Sequence, residues 1–263
     1  MLPHNSRMNA LQNAPRFYCR EALVPAAQVE LPAPVARHAV RVLRLTPDAP
    51  LILFDGRGGQ YPARLVRIEK DRAWAELGAW QDIERESNLD ITLVQALQAG
   101  DKMDFTIQKA VELGVRAIVP VESRRSVLKL AGERAGRRVA HWQGVAAAAC
   151  EQCGRNQVPL VAPLARLDQW LARPAPGTLR LVLAPGAALT LRELPLRERS
   201  LPEVPRQPQI QLLIGAEGGL DPQEIIAAEQ AGFQAVRLGP RVLRTETAGL
   251  AALAALQAMW GDW

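Results

Sequence analysis

Short apolar runs alternate with polar, glycine-marked loops in the C-terminal part of the chain, and this alternation predicts its elements. Gln209 to Ile214 is an apolar run, typical of a buried strand in a parallel sheet. A helix is predicted from Pro222 to about Ala231, because Asp221 suits its N-cap. Phe233 to Leu238 predicts the next strand, and an Ala/Leu-rich helix is predicted to last to about Trp260.

Two loops follow the predicted strands: IGAEGGL at Ile214 to Leu220, and LGPRVLRTETAG at Leu238 to Gly249. Their glycines allow the backbone to approach a ligand closely, which a side chain would prevent. Ligands of open α/β sheets bind at the carboxyl ends of strands, where both loops are predicted to lie. Neither loop has the spacing of a dinucleotide fold or of a P-loop. We therefore predict a small-molecule pocket, with an ordinary strand-to-helix turn as the alternative.

A polar stretch, Gln81 to Asp90, separates two patterns along the rest of the chain. Up to about Asp82 the chain is β-rich, with a DGRGGQ turn signal at Asp55 to Gln60. This pattern predicts a small barrel of short strands. The predicted strands are Leu51–Phe54, Tyr61–Ile68 and Ala73–Leu77. Beyond the boundary, strands and helices alternate, which predicts an α/β fold with a mostly parallel sheet. The predicted strands are Ile91–Ala96, Ala117–Val121 and Leu179–Leu183, and the predicted helices are at about Met103–Leu113 and Gly136–Cys150. A Pro- and Arg-rich connection is predicted at about Leu191 to Pro208.

Length and composition indicate an ordinary globular chain of 263 residues with 48% hydrophobic content, enough for one large or two modest domains. The longest apolar candidate, Ala248 to Trp260, is shorter than the roughly 20 residues that cross a bilayer and is interrupted by Gln257. The first fifteen residues have no apolar core of a secretory signal. We therefore expect a cytoplasmic protein without a membrane partner.

The three cysteines, Cys19, Cys150 and Cys153, are too few and oddly counted for a disulfide framework. The Cys150-x-x-Cys153 spacing suggests metal or redox chemistry, but a second pair and a histidine cluster are missing. Packing or loop geometry near a helix end is the favoured interpretation, and no metal site is predicted.

Positive charge is carried mainly by arginine, since the net charge is +5 with 28 Arg and 4 Lys. Arginine stacks on bases and binds phosphate in a fork, so this bias fits RNA, although biased codon supply would give the same count. Between Arg124 and Arg138 there are six basic residues and one acid, Glu133. This stretch predicts a polyanion-binding surface, with a solvated helix face as the alternative.

Several segments carry a resemblance to a known family. LLIGAEGGLDPQEI and LGPRVLRTETAGLAAL resemble the signature of the knotted (SPOUT-type) ribosomal RNA methyltransferases that act on uracil N3 of small-subunit rRNA. The match continues in order through nearly the whole chain, in PRFY, RHAVRVLRL, LFDGRGGQY, DKMDFTIQKAVELGVRAIVPVESRRSV and HWQGVAAAACEQCGRNQVP. The family usually has Pro where this chain has Ala216, which bears on the rigidity of the first loop.

The resemblance implies an α/β fold with a C-terminal knotted (trefoil) SPOUT methyltransferase domain at residues 83–263, after a small N-terminal PUA-like RNA-binding β-barrel domain at residues 1–82. It implies a homodimer in which the partner helps to complete the active site. The implied reaction is S-adenosyl-L-methionine-dependent methylation of uracil N3 in 16S rRNA of the small ribosomal subunit, at uracil 1498, without a metal.

The resemblance also implies residue roles. The expected cofactor-binding residues are Leu213, Gly215, Glu217, Gly218, Leu238, Gly239, Leu243, Arg244, Thr245, Glu246, Ala184, Pro185 and Gly186. The expected catalytic residues are Arg244, which would stabilise a uracil anion, Glu217, and Arg16, which would hold the target base or its phosphate. Either Glu217 or Glu246 would accept a proton or fix the loop geometry. The expected RNA-binding residues are Arg16, Arg37, Arg41, Arg44, Arg124, Arg125 and Lys129.

Two other functions remain open at this point. A knotted ribose 2′-O-methyltransferase usually carries an Asn-Glu pair and an arginine early in the domain, which this chain lacks in the corresponding stretch. A non-catalytic RNA-binding or ribosome-assembly protein would use the basic surface alone, and the intact glycines and Arg244 argue against it.

Overall fold

A computed structural model describes residues 13–194 and 208–263 in two compact units. The N-terminal unit comprises residues up to Glu86 together with Cys150–Val158, and the second unit comprises Ser87–Ala149 and Pro159–Trp263. The predicted domain limits, 1–82 and 83–263, did not assign 150–158 to the N-terminal unit. Most of the first fifteen residues and of the predicted connection from Leu191 to Pro208 lie outside the described residues.

The N-terminal unit contains one five-stranded sheet with the order β1-β3-β4-β5-β2. Its strands are β1 (Arg16–Tyr18), β2 (Gln28–Glu30), β3 (Pro50–Phe54), β4 (Tyr61–Glu69) and β5 (Arg72–Leu77). β1 runs parallel to β3, and all other pairs are antiparallel. The three predicted strands are confirmed as β3, β4 and β5. Since β1 and β2 are not paired with each other in the described sheet, closure into a barrel stays a prediction.

Glycines form the predicted turn between β3 and β4, since Gly56, Gly58 and Gly59 all have positive φ angles of +82°, +106° and +64°. Helix α1 (Ala33–Arg37) runs directly into a π-helical turn, His38–Val42. The apolar faces of these elements enclose one core that includes Phe17, Leu31, Leu51, Leu53 and Leu65. This core fixes the outer face on which the N-terminal arginines are displayed.

The second unit is built on a parallel sheet with the order β12-β10-β11-β6-β7-β8, and β9 also pairs with β7. Its strands are β6 (Asp90–Ala96), β7 (Ala117–Glu122), β8 (Leu160–Val161), β9 (Ala165–Arg166), β10 (Leu179–Leu183), β11 (Gln209–Ile214) and β12 (Gln234–Val236). Its helices are α2 (Lys102–Glu112), α3 (Gly132–Cys153), α4 (Leu167–Leu171), a short 3₁₀ turn (Leu191–Glu193), α5 (Pro222–Gln230) and α6 (Thr245–Trp260). The predicted α/β class and parallel sheet are confirmed.

Adjacent central strands β11 and β6 send their connections in opposite directions across the sheet. From β6 the chain moves to β7 on one side, and from β11 it moves past β10 to β12 on the other. Such a reversal opens a crevice at the carboxyl ends of the two strands, where ligands of open α/β sheets bind. Helix α6 covers this region closely, because a Cβ atom on Gly249 would lie only 3.3 Å from the Ile214 side chain.

Candidate active site

A pocket of about 410 Å³ lies at the carboxyl ends of β10, β11 and β12, within the second unit. Both glycine loops contribute to its wall, as the sequence predicts. The lining residues are Arg125, Leu183, Ala184, Pro185, Ile214, Gly215, Ala216, Glu217, Gly218, Gly219, Leu220, Ile225, Val236, Arg237, Leu238, Gly239, Arg241, Val242, Leu243, Thr245 and Ala248. Its volume lies in the range of about 300–1,000 Å³ that is typical of small-molecule sites.

The first loop folds tightly back on itself. A Cβ atom on Gly215 would lie 2.7 Å from the carbonyl carbon of Gly219 and 2.8 Å from the Leu220 nitrogen, so only glycine fits there. The Gly219 N–H donates to the Ala216 carbonyl at 2.8 Å and closes the turn. Helix α5 then begins at the Asp221 N-cap, whose capping box with Glu224 confirms the predicted helix start. The loop is therefore shaped by its own backbone.

The second loop is held at its end by one buried hydroxyl group. Thr245 Oγ1 donates to the Gly215 carbonyl at 2.5 Å, and Gln95 Nε2 donates to the same Oγ1 at 3.1 Å. Gln95 belongs to β6 and is fully buried, so this contact joins the central strand to both loops. Buried polar groups that satisfy each other in this way fix geometry, because each contact that is broken loses a hydrogen bond in a site where bulk water cannot replace it.

Two carboxylates, one from each loop region, lie on either side of one lysine. Lys102 Nζ lies 3.7 Å from Glu217 Oε1 and 3.6 Å from Glu246 Oε1. Glu217 Oε1 also accepts from the Ala99 N–H at 2.9 Å. The second carboxylate oxygen of each glutamate is buried and has no hydrogen-bond partner among the described residues. Negative charge therefore exceeds positive charge at this position.

Nine of the predicted cofactor-binding residues line the pocket: Ala184, Pro185, Gly215, Glu217, Gly218, Leu238, Gly239, Leu243 and Thr245. Within the described part of the chain, the lining does not include Leu213, Gly186, Arg244 or Glu246. Leu213 is fully buried in the core beside the site, whereas Gly186 is exposed. The roles of these residues stay predictions.

Arg244 is the N-cap residue of α6, at the end of the second loop. Its side chain is exposed, and its guanidinium has no hydrogen-bond or ion-pair partner in the described ranges. A free, permanently charged guanidinium next to a ligand-sized pocket is suited to an anionic group of a ligand or a reacting species.

Three basic residues of the second unit, Arg124, Arg125 and Lys129, each donate a hydrogen bond to an oxygen atom of a neighbouring residue. Arg124 donates to Gln223 Oε1 at 2.7 Å, Lys129 Nζ donates to Glu122 at 2.9 Å, and Arg125 donates to the Gly218 carbonyl at 3.0 Å. All three remain exposed, so they are accessible to a polyanion. Arg125 additionally lines the pocket, a position that its predicted RNA-binding role did not include.

The predicted residues of the N-terminal unit differ in their surroundings. Arg16 donates to Gln60 Oε1 and Asn156 Oδ1, each at 2.6 Å, and its guanidinium lies over the Phe54 ring. Burial lowers the pKa of Arg16, and its Nε has no partner in the region that the structure covers. Its role at a reacting base stays a prediction.

The other N-terminal arginines lie at the surface. Arg37 and Arg41, with His38, line an open groove on this unit. Arg41 also forms an ion pair with Asp71 at 2.7 Å, and Arg44 is exposed with a φ of +54°. RNA binding by these residues stays a prediction.

The thiols are free, and burial raises the pKa of both Cys19 and Cys150 to about 12. Cys150 is buried near the end of α3, in agreement with the favoured packing role. No group of three or more His, Cys, Asp or Glu side chains in residues 13–194 and 208–263 is arranged to hold a metal. Among the helices that the structure describes, none is both long and apolar enough to cross a bilayer.

Sequence reasoning missed Lys102 and Gln95 as site residues. Gln95 is a polar residue inside the apolar run of β6, and Lys102 follows that strand at the same sheet edge as the loops. Both were visible as polar residues close to the carboxyl end of a predicted strand. What was not visible is that β11 pairs with β6, which brings residues about 120 positions apart into contact.

Two protein families match this chain, one in its N-terminal part and one in the rest. The "RNA methyltransferase domain" family matches residues 85–257, and the "RNA methyltransferase PUA domain" family matches residues 31–78. The ribosomal RNA small subunit methyltransferase E of Buchnera aphidicola is 32% identical over 248 residues, which cover 94% of this chain and 97% of that protein. The chain belongs to the ribosomal RNA small subunit methyltransferase E family. The predicted family, the enzyme class and the PUA-like N-terminal domain are thereby confirmed.

Solved structures agree with membership of the methyltransferase E family. The crystal structure of a ribosomal RNA small subunit methyltransferase E from Neisseria gonorrhoeae, bound to S-adenosyl methionine, is 43% identical, with a TM-score of 0.86, and covers 95% of this chain and 100% of that one. A methyltransferase from Legionella pneumophila in complex with the bound cofactor SAM is 36% identical, with a TM-score of 0.88 and the same coverage. The fold of this family member is therefore an α/β methyltransferase fold.

Proposed function

We propose that this protein transfers a methyl group from S-adenosylmethionine to uracil N3 of 16S rRNA in the small ribosomal subunit, with uracil 1498 as the target. The observation that carries the proposal is the pocket that both glycine loops form at the carboxyl edge of the parallel sheet. The relatives from Neisseria and Legionella are bound to the same cofactor, and family membership supplies the substrate class. Because the proposed substrate is part of the ribosome, we assign the activity to the cytoplasm.

The residues present fit this cofactor. Gly215, Gly218 and Gly219 line the pocket with backbone alone, so the wall combines apolar side chains with backbone polar groups. We assign the adenine end to Leu238, Gly239 and Leu243, whose backbone groups would read the base edge while Leu243 covers its ring. Gly218, Ala184 and Pro185, which line the pocket, would form the remaining wall.

S-adenosylmethionine supplies an electrophilic methyl group on a positive sulfonium, so no metal is required for the transfer. The protein must hold uracil N3 in line with that methyl group, and most of the rate comes from this alignment. Loss of the N3 proton leaves negative charge on the uracil ring, and we assign its stabilisation to the exposed Arg244 guanidinium at the start of α6. Glu217 is the one acidic residue in the pocket lining among the described residues, and we assign it as the proton acceptor.

RNA binding is assigned to the basic residues of both units. In the N-terminal unit these are Arg16, Arg37, Arg41 and Arg44, and in the second unit Arg124, Arg125 and Lys129. The PUA family match covers Arg37, Arg41 and Arg44 and supports RNA binding by them, and their exposed, fork-shaped guanidinium groups suit phosphate. Because the target base lies in structured RNA, it must leave its stack before it enters the pocket.

We further propose a trefoil knot and a homodimer. After β12, at one edge of the sheet, the chain returns across β10 and β11, and α6 packs on β11 and α2. Arg237 pairs with Leu189 and Leu191 on the way, so the returning segment runs beside residues 189–191, which follow β10. This return across the sheet is compatible with a knot, and the family resemblance supports both the knot and a second copy that completes the site.

Methyl transfer from labelled S-adenosylmethionine, with small subunits and free rRNA as alternative substrates, tests the proposal. We expect label in N3-methyluridine when the product nucleosides are separated by mass spectrometry. Label in a ribose 2′-O-methyl group would identify the rival enzyme class, and binding of RNA without measurable affinity for S-adenosylmethionine would identify a non-catalytic protein.

A further inference from the structure

Lys102 occupies a position that the local structure of its own helix does not explain. It is the first residue of α2, next to the Asp101 N-cap. The N-terminus of a helix carries partial positive charge, so acids are favoured there and a lysine is disfavoured. The contacts that do explain the lysine lie outside the helix, on two glutamates that are far away in the sequence.

The two glutamates come from the two loop regions that enclose the pocket. Glu217 lies in the first loop and lines the pocket, and Glu246 lies in the first turn of α6, directly after the second loop. Their side chains are only 21% and 23% exposed, and one oxygen of each is buried without a partner among the residues described. Two partly desolvated like charges repel each other, and a cation that lies between them offsets this repulsion.

We propose that Lys102 is a positioning residue of the cofactor pocket, whose ammonium group holds Glu217 and Glu246 in the arrangement that binds S-adenosylmethionine. The inference rests on the proposed function, because it takes the pocket to be the cofactor site. Lys102 is absent from the pocket lining, so it acts through the two carboxylates and not by contact with the ligand. Without its charge, repulsion moves the two carboxylates apart, although the Thr245 hydroxyl still joins the loops.

The chain offers a matched control on the same helix. Lys109 of α2 is exposed to a similar extent as Lys102, 36% against 39%, and pairs with Glu112 at 2.7 Å three residues further along. Lys109→Met removes one surface ion pair, which contributes little to stability, and leaves the loops untouched. Lys102→Arg retains a cation, and Lys102→Met/Glu246→Gln removes the lysine together with one of the two repelling charges.

Isothermal titration of S-adenosylmethionine into the full-length variants tests the proposal. We expect K102M to bind about tenfold more weakly than the unsubstituted protein, with K102R within about threefold of it and K109M unchanged. The double variant K102M/E246Q should bind within about threefold of E246Q alone, because the repulsion is relieved. A lysine that served only as packing would not be rescued by removing a distant carboxylate.

Two results would overturn the inference. One is equal affinity of K102M and the unsubstituted protein, and the other is a K102M/E246Q protein that binds about tenfold more weakly than E246Q. The second comparison needs no folded K102M, so it decides the matter even if that variant does not fold. If the unsubstituted protein itself binds no S-adenosylmethionine, the proposed function fails first, and the two failures are thereby distinguished.

Discussion

The two loops of the pocket are built in contrasting ways. The first loop is closed by its own backbone, with Gly215 against Gly219, and leads into a helix with a full capping box. The second loop exposes Arg241, Val242 and Arg244 to solvent. Its end is fixed by Thr245, whose hydroxyl group bonds the first loop. One wall of the site is therefore preformed, and the other is free to meet substrate.

This difference separates residues that shape the fold of the site from an exposed residue that we assign to chemistry. A preformed wall reduces the entropy that a cofactor must lose on binding, so changes in the first loop should affect stability and affinity together. An exposed cationic side chain that has no partner in the fold can contact a reacting group without contributing to folding. Changes at Arg244 should therefore affect the rate of methyl transfer and leave the free energy of unfolding almost unaltered.

The largest expected effect is that of Arg244→Ala on catalysis. We expect kcat for methyl transfer to small subunits to fall about 100-fold, because stabilisation of the uracil anion is lost. The urea midpoint and the affinity for S-adenosylmethionine should stay close to those of the unsubstituted protein, since the side chain has no partner among the described residues. Single-turnover kinetics measure the loss of rate, and urea unfolding measures the loss of stability. If the two losses, expressed as free energies, were equal, the proposed difference between the two loops would be wrong.

The next effect compares one glycine in each loop. Gly215→Ala places a Cβ atom 2.7 Å from backbone, so we expect about 2 kcal/mol of lost unfolding free energy and weaker cofactor binding. Gly239→Ala meets nothing within 4 Å and should change the unfolding free energy by less than about 0.5 kcal/mol. Urea unfolding of both variants decides the point. Equal destabilisation would show that the first loop is no more constrained than the second.

Thr245→Val tests the bond that joins the loops. The Gly215 carbonyl and Gln95 Nε2 both lose the hydroxyl group in a buried site, which we expect to cost about 1.5 kcal/mol of unfolding free energy. Thr245→Ser keeps the hydroxyl group and is the control. If serine and valine destabilise alike, the methyl packing and not the hydrogen bond holds the second loop.

The smallest effect is expected in the N-terminal unit, where a substitution in the first loop, such as G215A, should leave the reactivity of the buried cysteines unchanged. Burial raises the pKa of Cys19 and Cys150 to about 12, so almost no thiolate forms at pH 8 and neither should react with iodoacetamide in the folded protein. Mass spectrometry should find slow labelling of these two cysteines in G215A and in the unsubstituted protein alike. Rapid labelling in G215A alone would mean that the damage is not confined to the first loop.

The same contrast runs through what the sequence could predict. The first loop and α5 could be predicted because their determinants are local: a cap at Asp221, a stop at Gly232 and an apolar strand before them. Strands β1, β2, β8 and β9 could not, because two or three residues carry no periodicity. Gln95 and Lys102 act through partners more than a hundred positions away, so their roles depend on strand order. Such partners are set by tertiary packing alone.

The central claim is that these loops hold a methyl donor for uracil N3 of small-subunit rRNA. It is tested most directly by nucleoside mass spectrometry of small subunits from cells that lack this protein, complemented with the unsubstituted chain or with R244A. We predict that N3-methyluridine is absent from the deletion strain, restored by the unsubstituted chain and strongly reduced with R244A. Small subunits that keep the methylated uridine in the deletion strain would contradict the account.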